Sequence, residues 1–224
     1  MPFVSIALDG PSGAGKSTLA RRLAEELGYL YVDTGAIYRT VGLWVRRNGA
    51  DPKSEPAVSA LLSGLQVGLR VEADGVQHMY LNGEDVTGQI REPEISMYAS
   101  AVSALPAVRA FLLEMQQELA RTRNVVMDGR DIGTVVLPEA TVKVFLTAAP
   151  EVRARRRWLE LQARGNTDSY EQVLADVMRR DEQDMNRAIA PLRPAADAVR
   201  LDTSKLDLEE SGKALLRIVK EKLI

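Results

Sequence analysis

Residues 9–18 read DGPSGAGKST, with the apolar run FVSIAL before them and LARRLAEELG after. The stretch from Gly10 to Ser17 fits the phosphate-binding pattern G-x-x-x-x-G-K-[ST] at every fixed position. Its physics is local. Small residues let the backbone turn its N–H groups inward and form a nest for anionic oxygens. A helix opening near Lys16 adds unpaired N–H groups and the positive end of its dipole. On this reading Gly10, Pro11, Ser12, Gly13, Ala14, Gly15, Lys16, Ser17 and Thr18 cradle the phosphates of ATP. Lys16 reaches the terminal phosphates as a point charge, and the Ser17 hydroxyl ligates Mg2+. Such a loop belongs where a strand becomes a helix. Phe3 to Leu8 reads as a buried strand, and Leu19, Ala20, Leu23, Ala24 and Leu27 recur at helical spacing before Gly28.

The same alternation continues along the chain. Tyr29–Val32, Asn124–Met127, Val142–Leu146 and Val199–Leu201 are short apolar runs separated by helical patterns, and Leu206–Ile224 reads as a closing amphipathic helix. Gly35 permits a turn before a helix that carries Arg39 near its start, and Asn48–Ser54 reads as a loop. A long helical stretch from about Ile95 to Arg121 is expected to break at Leu105-Pro106. Strands alternating with helices predict a mostly parallel α/β sheet, which binds ligands at the carboxyl ends of its strands. Gly10, Asp33 and Asp128 all fall at such ends. One segment changes period. Leu65, Val67, Leu69 and Val71 alternate with polar residues or glycine, and Asp74-Gly75 and Asn82-Gly83 are turn signals, so about residues 63–90 are expected to form a small antiparallel insert.

Composition narrows the chemistry. With 224 residues, 46% of them hydrophobic and 27% charged, the chain has apolar material for a real core. The absence of cysteine excludes thiolate chemistry and disulfides, and the single His78 makes a histidine zinc site or a Ser-His-Asp triad implausible. A net charge of −2 argues against a broad nucleic-acid surface. No apolar stretch approaches a membrane span and the N-terminus lacks the pattern of a signal peptide, which points to a cytoplasmic enzyme. The 22 arginines outnumber 7 lysines, and arginine suits bidentate phosphate recognition.

A phosphate loop alone does not separate kinases, GTPases and ATPases. The chain has no base-reading N-K-x-D stretch, and VVMDG only partly matches the acidic strand of a motor ATPase. What it offers is arginine and carboxylate together: Arg39, Arg109, Arg130-Asp131, Arg153 to Arg157, Arg180 and Arg187. That set suits a site closing around two phosphorylated molecules, because phosphoryl transfer asks for alignment, charge neutralisation and exclusion of water.

In order and over essentially the whole length, DGPSGAGKST, DTGAIYR, GEDVTGQIR, DGRDIGTVV and RDEQDMNRAIAPL resemble the bacterial cytidylate kinase family. The resemblance implies a P-loop NTPase-type parallel sheet flanked by helices, with a CORE (about 1–34, 105–150 and 190–224), a monophosphate-binding region (about 35–104) holding the β insert, and a short helical LID (about 151–170). It implies transfer of the γ-phosphate of ATP to CMP or dCMP with Mg2+. A monomer that binds neither nucleic acid nor membrane is expected beside it. It also implies roles for particular residues. Thr34 contacts the acceptor base and Arg39 its phosphate; Arg109 and Asp131 read cytosine with Arg187 beside them. Ser100, Arg180 and Asp184 hold the sugar, while Arg130, Arg153, Arg156 and Arg157 act with Lys16 in neutralising the transferring phosphates.

Plainer readings compete at several positions. Arg153, Arg156 and Arg157 share helical spacing and could form a solvated face, and Arg180 could pair with Asp184 on the surface. Asp128 could orient the loop without touching a ligand. His78 is assigned no role, and Tyr38, Trp44 and Phe111 read as core rather than as stacking platforms. Another small-molecule P-loop kinase, of the UMP/CMP or shikimate type, and a non-catalytic nucleotide-binding switch remain as alternatives at this point.

Overall fold

In the computed structural model, which describes residues 3–72, 77–163 and 165–223, the chain opens with β1 (Ser5–Asp9), α1 (Lys16–Leu27), β2 (Leu30–Asp33), α2 (Thr34–Arg47) and α3 (Glu55–Leu62). Next come β3 (Val67–Val71), β4 (Gln77–Leu81), β5 (Glu84–Asp85), α4 (Pro93–Val102), α5 (Pro106–Thr122) and β6 (Val125–Gly129). The chain closes with β7 (Val142–Thr147), α6 (Pro150–Ala163), α7 (Tyr170–Asn186), β8 (Val199–Asp202) and α8 (Leu208–Lys222). These elements divide into two compact units, Met1–Tyr31 with Ala120–Ile224, and Val32–Leu119.

The first unit is built on a five-stranded sheet of order β2-β6-β1-β7-β8, with β1 paired in parallel to β6 and β7, and β7 in parallel to β8. β1 is therefore central and buried, which accounts for its unbroken apolar reading. Ile6 and Leu8 of β1 and Val144 and Leu146 of β7 share a buried cluster with Leu19 and Leu23 of α1 and Leu215 and Val219 of α8. The helical spacing of those residues puts one stripe of each helix on the sheet. The parallel register aligns strand ends: Asp9 lies beside Gly129 on one side and Phe145 on the other.

In the second unit β3, β4 and β5 form an antiparallel sheet, the insert expected from the period of two. Asn82 and Gly83 turn β4 into β5 with φ of 50° and 87°. The other turn signal, Asp74-Gly75, lies outside the described residues. The expected break of the long helical stretch is present, with α4 and α5 bent by 99°. Packing of α2 on α4 depends on Gly42, whose added Cβ would sit 2.9 Å from the Ala99 nitrogen.

Three local expectations differ. Gly35 does not form a turn but sits in the first turn of α2, because the Asp33 side chain accepts from the Ala36 N–H and starts the helix at Thr34. α3 falls where no helix was expected; it has one fully buried residue, Val58, too few for a periodic signal. Phe111, expected in the core, is 38% exposed. Among the described residues no single helix is long and apolar enough to cross a membrane.

Candidate active site

The phosphate loop follows β1 directly. Gly10 adopts φ 152°, and a Cβ there would fall 1.9 Å from the Leu146 carbonyl oxygen of β7, so only glycine fits the central strand's exit. Gly15 caps α1 in the left-handed region, leaving α1 to begin at Lys16. The Lys16 side chain folds over the loop, and its Nζ donates to the Pro11 carbonyl at 2.8 Å. Burial, followed by the nearby Arg130, draws its pKa down to about 7, against the opposing pull of Asp128, Asp184 and Asp9. A cation so placed has most to gain from an arriving polyphosphate.

Asp128, one residue before the end of β6, accepts from the Ser17 hydroxyl at 2.9 Å and from the Tyr31 hydroxyl at 3.0 Å. Hydroxyl and carboxylate oxygens side by side are hard donors, and Mg2+ is held by one or two such groups while phosphates and water complete its shell. Ser17 and Asp128 thus fit the ion. Among the described residues no group of three or more His, Cys, Asp or Glu is arranged to hold a metal.

Beyond β6 the side chains of DGRD and α7 interlock. Arg130 Nε donates to Asp184 Oδ2 at 2.8 Å. Burial pushes the Asp184 carboxyl up, but Arg130, Arg180 and Arg187 outweigh it and hold the carboxyl below its ordinary range. Asp184 is therefore a buried carboxylate shared among arginines rather than half of a surface pair with Arg180. Arg187 Nη2 donates to Asp131 Oδ1 at 3.3 Å, with both side chains under 10% exposed, and Arg187 Nε donates to the Ala190 carbonyl.

The second unit carries the remaining candidates. Asp33 both caps α2 and pairs with Arg39 Nη2 at 2.9 Å. Arg39 Nε is buried without a hydrogen-bond partner, a cost that an anion's oxygen would remove. Thr34 is buried at the start of the same helix. Arg109, on α5, donates to the Ser103 carbonyl and lies 5.8 Å from the Tyr38 ring centroid. Ser100, on α4, is half-buried, and its carbonyl accepts from the Ser103 hydroxyl.

Comparison with known proteins bears on what this arrangement is. The cytidylate kinase family profile matches residues 6–221. The chain belongs to the cytidylate kinase family. It is 49% identical to a cytidylate kinase of Caldicellulosiruptor bescii over 97% of this chain and 96% of the relative. It is 50% identical to a cytidylate kinase of Pelotomaculum thermopropionicum over 96% and 95%. A solved structure of an uncharacterized protein from Eubacterium ventriosum superposes with a TM-score of 0.51 at 11% identity, over 97% of this chain and 98% of that one; it shares the fold.

In this cytidylate kinase family member the three arginines of α6 have separate environments. Arg153 is buried, and its guanidinium donates to the carbonyls of Ala148 and Ser12 and to the Asp181 carboxylate. Arg156 donates to the Thr203 hydroxyl and to the Thr203 and Leu206 carbonyls, and Arg157 pairs with Glu160 in solvent. The solvated shared face is thus not what the structure shows for Arg153. Three further carboxylates lie within the quoted motifs but were given no ligand role from the sequence: Asp128 on Ser17, Asp181 under Arg153, and Asp9. Asp9 is 5% exposed and accepts from the Ile132 N–H at 2.8 Å and the Gly133 N–H at 2.7 Å. The aspartate-glycine pair ending both β1 and β6 is the only sequence mark that Asp9 and Asp128 share.

Proposed function

We propose that this chain transfers the γ-phosphate of ATP to CMP or dCMP, giving CDP or dCDP and ADP. Membership of the cytidylate kinase family supports the reaction. The observation that carries the choice of base is the buried Asp131–Arg187 pair beside the strand ends. A carboxylate accepts from the exocyclic amine of cytosine, and guanidinium groups donate to its ring nitrogen and carbonyl. Uracil presents a carbonyl where cytosine presents the amine, placing acceptor against acceptor.

In this reading residues 10–18 hold ATP, with Lys16 on its terminal phosphates. Arg39 takes the acceptor phosphate, for which its unpartnered Nε supports the assignment. Thr34, Arg109, Asp131 and Arg187 recognise the base, and Ser100, Arg180 and Asp184 the sugar. Arg130, Arg153, Arg156 and Arg157 neutralise the phosphates, and Arg153 contributes only by leaving Asp181. Ser17 and Asp128 would hold Mg2+, which supplies charge neutralisation to the ATP phosphates when bound. CORE, monophosphate-binding region and LID follow the boundaries given above, with LID closure excluding water. The enzyme works in the cytoplasm on free nucleotides as a monomer.

The test is kcat/KM for CMP and UMP in wild type and Asp131→Ala. Opposing one charged hydrogen bond costs roughly 1.5–3 kcal/mol, so wild type should favour CMP by about one to two orders of magnitude. Asp131→Ala should lower the CMP value far more than the UMP value. Equal losses for both acceptors would contradict base reading by Asp131.

A further inference from the structure

Asp131 stands at the N-cap of the short π-helical segment Ile132–Val136, where an aspartate ordinarily turns its carboxylate back onto its own helix. Here it makes no such cap. The first two N–H groups of that segment, those of Ile132 and Gly133, are instead taken by the two oxygens of Asp9. Asp9 can do so because the parallel register seats it beside Gly129, where the 130–133 loop leaves β6. With the first two N–H groups of the segment taken from another strand, the Asp131 carboxylate meets Arg187.

We propose that Asp9 is a positioning residue for acceptor specificity: by capping Ile132–Val136 in place of Asp131, it keeps the Asp131 carboxylate turned to Arg187 and to the acceptor base. The inference rests on the reading of Asp131 given above. Three chemical facts carry it. Both Asp9 oxygens are used, one per N–H, so the role requires a carboxylate. Asp131 has the residue type and the position of a cap yet does not act as one. Asp9 is the last residue of β1, held by the central sheet, and its side chain reaches the Ile132 and Gly133 N–H groups of the base-reading segment.

Asp9→Asn has nearly the same shape but one acceptor oxygen and an amide that opposes the second N–H. One backbone N–H is then left for Asp131 to take. The expected result is a fall of about tenfold in kcat/KM for CMP, carried mainly by KM for CMP, with UMP and KM for ATP within about twofold of wild type. In an Asp131→Ala background the same change should leave the CMP-to-UMP ratio where Asp131→Ala alone puts it. A purely structural Asp9 would lower turnover with both acceptors by one factor; that outcome overturns the proposal while Asp131→Ala still narrows the ratio. If Asp131→Ala leaves the ratio at its wild-type value, the base reading itself fails, and the role of Asp9 with it. Should Asp9→Asn not fold, hydrogen exchange of wild-type protein decides. Ile132 and Gly133 amides protected before any nucleotide is added support the cap, and rapid exchange of both overturns it.

Discussion

Lys16 and Asp9 are two buried charges of opposite sign at the start of the phosphate loop, and each makes a prediction of its own. If Lys16 meets the transferring phosphates as proposed, Lys16→Met removes that ammonium, and kcat for CMP should fall by about two orders of magnitude or more. The melting temperature should hold, because an unbranched apolar side chain replaces a cation that burial already disfavours. Near-normal turnover by a folded Lys16→Met protein would contradict the phosphate-loop assignment. For Asp9, burial outweighs the two backbone hydrogen bonds and raises its pKa from 3.8 to about 6. The folded state therefore binds this proton more tightly than the unfolded chain. The stability it contributes is complete below pH 3.8 and is lost as pH rises through 6. Relative to Asp9→Asn, wild type should lose up to about 3 kcal/mol between pH 4 and 7 in urea unfolding. A difference that does not change with pH would contradict the burial of this charge. The glycines and Lys16 were legible in the sequence because their spacing forms one contiguous eight-residue pattern, even though the close approach that requires Gly10 comes from Leu146 on β7. Asp9 was not, since its partners lie 123 and 124 residues on.

Among the elements, the strands and long helices follow their periods, and the ends follow capping chemistry. α8 starts with a reciprocal capping box in which Asp207 accepts from the Glu210 N–H and the Glu210 side chain accepts from the Asp207 N–H. The apolar stripe alone placed this start at Leu206, before the box that sets it at Leu208. Because α8 covers one face of the central sheet through Leu215 and Val219, its end matters to the whole first unit. Asp207→Ala should cost about 1 kcal/mol and lower the melting temperature by about 2–4 °C, with kcat/KM for CMP unchanged. An unchanged melting temperature would show that the cap contributes nothing beyond solvent hydrogen bonding. The break between α4 and α5 was legible from Pro106, whereas α3 was not, since burial of Val58 alone leaves no face to read.

At the scale of the molecule, the family match over residues 6–221 and the carboxylates and arginines gathered at the strand ends lead to one reaction. The order of the motifs was legible from sequence; the sharing of Asp184 by arginines and the burial of Arg153 on Asp181 required the fold, because both depend on helix α7. The most direct test is a steady-state acceptor panel with ATP and Mg2+, following ADP formation with CMP, dCMP, UMP, AMP, GMP and shikimate. The account predicts rapid turnover with CMP or dCMP, UMP slower in kcat/KM by about one to two orders of magnitude, and ADP formation at background with the rest. UMP matching CMP, faster turnover with any other acceptor, or ATP binding with no acceptor-dependent turnover at all, would contradict it.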